Sequence, residues 1–158
     1  MVRATTRTLL AIALVSLPVL AASAAQTHVP ANSTWKLNLV ESNFGGGPTM
    51  KSDVFTMLVD TPKWASFTDE YVDDSGKTWK WSWSGPANGT MHAATGIPGV
   101  KYSTNATDDI SEEALPDGTS ITCSFSLSED KKKFTDSCST LTSDGKRYPQ
   151  IMVYDLVE

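Results

Sequence analysis

The chain has 158 residues and a formal net charge of −5, with 20% charged and 40% hydrophobic residues. That balance excludes disorder along the whole length and suits one globular domain rather than two. The acidic excess argues against nucleic acid and against anionic membrane surfaces as partners.

In chain order, the first element is a leader. Met1 to Arg7 carries two arginines and no acid, residues 9–20 are almost wholly apolar, and Ala22-Ser23-Ala24-Ala25 supplies small residues before a cleavage point. Basic, apolar and small residues in that order make a secretory signal peptide over 1–25. The apolar run is near a dozen residues and contains Pro18, whereas a membrane span needs about 20. The mature domain is then 26–158, with 11 Lys and Arg against 18 Asp and Glu, a net charge of −7. Its expected place is secreted or periplasmic, without stable membrane insertion.

No part of the mature chain has a helical period. Short β-rich runs at 34–40, 53–60, 64–72, 78–84, 99–105, 108–114, 119–127, 134–142 and 149–157 are separated by turn chemistry such as Thr61-Pro62, Asp74-Ser75-Gly76, Pro116-Asp117-Gly118 and Asp144-Gly145. Short links join neighbours antiparallel, so the chain reads as an all-β, up-and-down meander closing into a barrel of eight to ten strands. A two-sheet sandwich is the second reading. Period two sets the faces. Trp35, Leu37 and Leu39 share one side of the first run, Phe55, Met57 and Val59 one side of the second, and Ile121, Cys123, Phe125 and Leu127 one side of the seventh. Two longer loops, 41–51 with Gly45-Gly46-Gly47-Pro48 and 85–98, read as rims of an opening, the glycines keeping their rim flexible.

In an oxidising compartment two cysteines pair rather than react. Folding the 119–142 segment back at Asp130-Lys131 sets Leu127 opposite Phe134, Phe125 opposite Asp136, and Cys123 opposite Cys138. Directly opposed residues are close enough for a disulfide. The alternative is a pair of buried free thiols. Two cysteines do not make a metal site.

Catalytic patterns are missing. His28 falls at the loose start of the mature chain, His92 in a loop, and no Gly-x-Ser-x-Gly elbow exists. The glycine run is followed by Pro48 rather than Lys and Ser or Thr, so it is no phosphate loop. One acidic group, Asp69, Glu70, Asp73 and Asp74, and another, Asp108, Asp109, Glu112, Glu113 and Asp117, straddle turns. Solvated positions are the expectation for both. Asp136 has two readings: an inward carboxyl that needs a partner or a polar ligand, or a bulge that turns it outward. Trp79, Trp81 and Trp83 share one face of one strand, as lining of a pocket, as solid core, or as an exposed aromatic strip.

Ser33-Thr34-Trp35-Lys36-Leu37-Asn38 resembles the Gly-Thr-Trp-Lys-Leu-Asn opening of small secreted lipocalin-like proteins of acidobacterial type. The likeness continues at Asp74-Ser75-Gly76-Lys77, Ser128-Glu129-Asp130-Lys131, Asp144-Gly145-Lys146 and Met152-Val153-Tyr154-Asp155. It implies a β-barrel able to hold an apolar ligand, with Trp35 packed across one end. Ser33 stands where the motif has glycine. The function expected is therefore binding: a small apolar or aromatic ligand inside the barrel, among Trp35, Trp79, Trp81, Trp83, Phe125, Asp136 and Tyr154. No catalytic residue, metal or cofactor is expected. The rival reading is a structural or cell-envelope interaction module with a filled core.

Overall fold

The computed structural model describes residues 28–157; the leader at 1–25 lies outside them. Ten strands follow one another: β1 (Ser33–Leu37), β2 (Met50–Asp60), β3 (Trp64–Asp73), β4 (Thr78–Pro86), β5 (His92–Ala93), β6 (Lys101–Asn105), β7 (Ile110–Ala114), β8 (Ser120–Leu127), β9 (Lys133–Leu141) and β10 (Arg147–Val157). Among the described residues there is no helix. All pairings are antiparallel, in the order β4-β3-β2-β1-β10-β9-β8-β7-β6-β5. The meander closes on itself because β1 lies between β2 and β10, with Trp35 opposite Phe55 on one side and Leu156 on the other.

A seam remains between β4 and β6. The 85–98 loop, expected as a rim, fills this seam instead. Ser82 and Thr95 exchange both backbone hydrogen bonds at 2.9 Å, and Gly89 N–H donates to Thr104 C=O at 2.9 Å. The loop comes so near β4 that a Cβ on Gly96 would lie 2.3 Å from the Lys80 carbonyl oxygen. The other long loop does reach the barrel mouth, but it is pinned there. Asn43 and Ile151 exchange backbone hydrogen bonds at 2.7 Å, Gln150 Nε2 donates to Pro48 C=O at 3.1 Å, and a Cβ on Gly45 would strike Pro149 C=O. Gly45 and Gly47 allow close packing against Pro149 and Tyr148.

Strand faces follow the alternation with two exceptions. Leu39 is 46% exposed, because β1 ends at Leu37 and the Asn38 carboxamide accepts from the Val40 and Glu41 N–H groups, turning the chain. Val59 is 38% exposed because the register shifts between Met57 and Val59. The β8–β9 register runs unbroken from Ser120–Leu141 to Leu127–Phe134, with Cys123 opposite Cys138 and disulfide-bonded to it.

The closed end is plugged by apolar side chains. Trp35 is fully buried, with Phe134 5.9 Å away between ring centroids. Burying an indole of that size contributes on the order of 5 kcal/mol. Its Nε1–H donates to Ser33 Oγ at 2.7 Å, and that hydroxyl donates to Pro30 C=O. Ser33 thus supplies the acceptor that a glycine would lack. His28 is not loose: its Nδ1 is 3.4 Å from Asp60 Oδ1, and the next residue, Val29, is buried in the plug.

Gly96 and Gly46 both have positive φ, +101° and +78°, yet nothing lies within 4 Å of a Cβ on Gly46. Alanine at Gly46 is expected to cost only the left-handed backbone, about 1–2 kcal/mol. At Gly96 it must also lift the loop from β4, and chemical denaturation should register about 2 kcal/mol more. Equal losses would show that the loop does not seal the seam.

Candidate functional site

Above the plug the barrel encloses a cavity of about 390 Å³, within the range of small-molecule sites. It opens at the end where the 38–49 loop and the β3–β4, β7–β8 and β9–β10 turns converge, with Pro48, Thr49, Asp74, Leu115 and Thr119 in its lining. The walls are aromatic. Phe67 meets Trp81 edge-on at 5.1 Å and Tyr102 at 5.0 Å, and Tyr71 stacks on Trp79 at 6.4 Å.

Of the residues expected to hold the ligand, Trp79, Trp81, Asp136 and Tyr154 line this cavity. Trp79 is half-buried near the mouth, its Nε1–H donating to Asp73 at 2.9 Å, with the Lys77 ammonium 3.3 Å from its ring centroid. Trp81 lies deeper and donates to Asp69 Oδ2 at 2.7 Å. Trp35, Trp83 and Phe125 do not line it. Trp35 and Trp83 are packed in the core, and Phe125 leans on Phe134 at the closed end, 5.9 Å between centroids. They sit too far down their strands to reach the open volume. The three indoles of β4 do share one face, turned inward.

Carboxyl groups dominate the polar chemistry. Asp53, Asp69, Glu113 and Asp136 all line the cavity, so Asp69 and Glu113 are not solvated turn residues. Parity in their strands carries the signal: Asp53 alternates with Phe55, and Asp69 stands between Phe67 and Tyr71 on the inward side. The unbroken register at Phe125–Asp136 and Met152–Asp136 leaves no bulge, and Asp136 points in.

Two of the four carboxyls accept a hydrogen bond on one oxygen. Tyr154 Oη–H donates to Asp53 Oδ2 at 2.7 Å, and Trp81 donates to Asp69. The Oδ1 atoms of both are buried without a hydrogen-bond partner, and the two carboxyls lie near enough for burial and mutual repulsion to disfavour ionising both. Burial raises both, and Asp69 more, since the Asp53 charge adds to it. Asp136 and Glu113 receive no such support. Burial lifts Glu113 from 4.5 to about 7, and burial followed by the Asp53 charge lifts Asp136 from 3.8 to about 7. No hydrogen bond compensates either shift. Tyr71 is pushed up to about 12 by burial and by the nearby Glu113.

These shifts fix a pH dependence. Between about pH 4 and 7 the folded protein holds protons on Glu113 and Asp136 that the unfolded chain releases. Their contribution is complete below about pH 4 and is lost as pH rises through 7, on the order of a few kcal/mol together. At the acid end Asp73, held down to about 2 by the Ser75 hydroxyl and the Trp79 indole, works the other way, as do Asp130, Asp144 and Asp155. Thermal unfolding of the empty protein should peak near pH 4–5. The double variant Glu113→Gln, Asp136→Asn should lose much of the decline above pH 4, the rest coming from Asp53, Asp60 and Asp69, which burial also raises; an unchanged decline would remove Glu113 and Asp136 as its cause.

No protein-family model and no curated protein matches the chain. Among solved structures it is similar to the crystal structure of a point mutant of the fluorescent protein UnaG. The TM-score is 0.51 and the sequence identity 14%, over 79% of this chain and 94% of that one. At that identity the likeness is one of fold, and the fold is an antiparallel β-barrel.

Proposed function

We propose that the protein is a secreted binding protein that holds a small, aromatic-faced ligand in its barrel. The observation that carries this reading is the 390 Å³ cavity beside Trp79 and Trp81, reached from the mouth and walled by aromatic side chains. A core filled for stability alone would close such a volume, because each unfilled space costs packing energy. The lipocalin-like motifs around Trp35 support the same reading. The disulfide suits an oxidising compartment, and with the leader at 1–25 it supports export. An envelope interaction module would use its tryptophans outward, whereas Trp81 and Trp83 are 8% and 2% exposed.

Native mass spectrometry of the protein purified from its own host, before and after organic extraction, tests for a carried small molecule. Tryptophan fluorescence then follows rebinding. Trp79→Ala should weaken that binding by about 10-fold with little loss of stability, since the ring is half-buried. Trp35→Ala should instead lower stability by about 3–5 kcal/mol. A protein that carries nothing, and whose fluorescence no aromatic compound alters, would sink the proposal.

A further inference from the structure

The charge inside the cavity says what sort of molecule fits it. Its lining includes Asp53, Asp69, Glu113 and Asp136, with Asp73 and Asp74 at the mouth, and no Lys, Arg or His. A carboxylate ligand such as a fatty acid would find no counter-charge there and six acidic neighbours. The deciding group is Asp136. It points into the barrel, it lines the cavity, and no backbone or side-chain donor among the described residues bonds to it. An unpartnered buried carboxyl costs several kcal/mol if ionised, unless something that enters the cavity supplies the opposite charge.

An inorganic ion is a poor candidate, since among the described residues no three His, Cys, Asp or Glu side chains converge as metal ligands. The aromatic rings in the lining, Trp79 and Trp81 among them, offer a second kind of attraction, that of an aromatic ring for a cation. The molecule already uses it at the mouth, where the Lys77 ammonium sits over Trp79.

Resting on the small-ligand reading above, we infer that the ligand is an organic cation, a protonated amine with an aromatic or alkyl body, whose charge pairs with Asp136 while its body lies against Trp81 and Trp79. Asp53 is close enough to Asp136 to add to the field. Glu113, also without a hydrogen bond, meets the ligand nearer the mouth.

Isosteric probes separate charge from shape. Calorimetric titrations would compare tryptamine with tryptophol and indoleacetate, and phenethylamine with phenethyl alcohol and phenylacetate. Mildly alkaline buffer keeps the ammonium protonated and ionises the free carboxyls. The amines should bind at least about 10-fold more tightly than the alcohols, and the carboxylates most weakly. Asp136→Asn should erase the preference for amine and leave the alcohols unaffected, with Glu113→Gln giving a smaller loss. Alcohols or carboxylates that bind as tightly as the amines would overturn the cation while leaving the small-ligand reading intact. So would an amine preference that survives in both variants. If none of the six compounds binds, the cation reading falls, and the native mass spectrum decides the small-ligand reading.

Discussion

A meander of hairpins becomes a container only where its first strand meets its last. Here that joint is five residues long. β1 pairs with β2 through a neighbouring hairpin, but its pairing with β10 joins Thr34 to Val157, almost the full length of the described chain. Every other strand pairing is between neighbours in sequence. Trp35 stands in this joint and is the largest fully buried side chain there, so the same five residues that close the wall also plug its floor. The loop-closure cost of such a distant contact is high. An indole buried in full, with its N–H satisfied by Ser33, offsets much of it. Closure also removes two exposed strand edges, and the remaining seam is covered by the 85–98 loop rather than left open.

Much of this was legible in the sequence. The turn chemistry and period-two runs located nine strands, and pairing by opposed residues placed Cys123 against Cys138 in the register observed. Periodicity failed where the backbone departs from it: at Asn38, whose carboxamide ends β1, and beyond Met57, where a register shift turns Val59 to solvent. It also cannot tell how far a side chain reaches along the barrel axis. Trp83 and Trp81 share a face two residues apart, yet one belongs to the core and the other to the cavity wall. The inner carboxyls were hidden for a different reason. Asp69 sits near a run of acids that looks like a solvated turn, and only its parity with Phe67 distinguishes it.

The interior divides its polar groups into two kinds. Tyr154–Asp53 and Trp81–Asp69 are two hydrogen-bonded pairs with neighbouring carboxyls, a chain of polar groups that runs across four strands: β10, β2, β3 and β4. Asp136 and Glu113 have no place in that chain. Local cost of this sort is typical of sites where a fold is not optimised for its own stability. The surrounding aromatic wall and the disulfide between β8 and β9 hold the barrel in shape around it.

The direction of the strands has a practical consequence. β1 starts and β10 finishes at the plugged end, beside one another at Thr34 and Val157, while the mouth lies at the far end among the 38–49 loop and the β9–β10 turn. A tether attached at either end of the described chain therefore leaves from the floor of the container. Immobilised on a sensor chip or fused to a carrier, the molecule would stand like a cup on its base, its opening turned to the bulk solution.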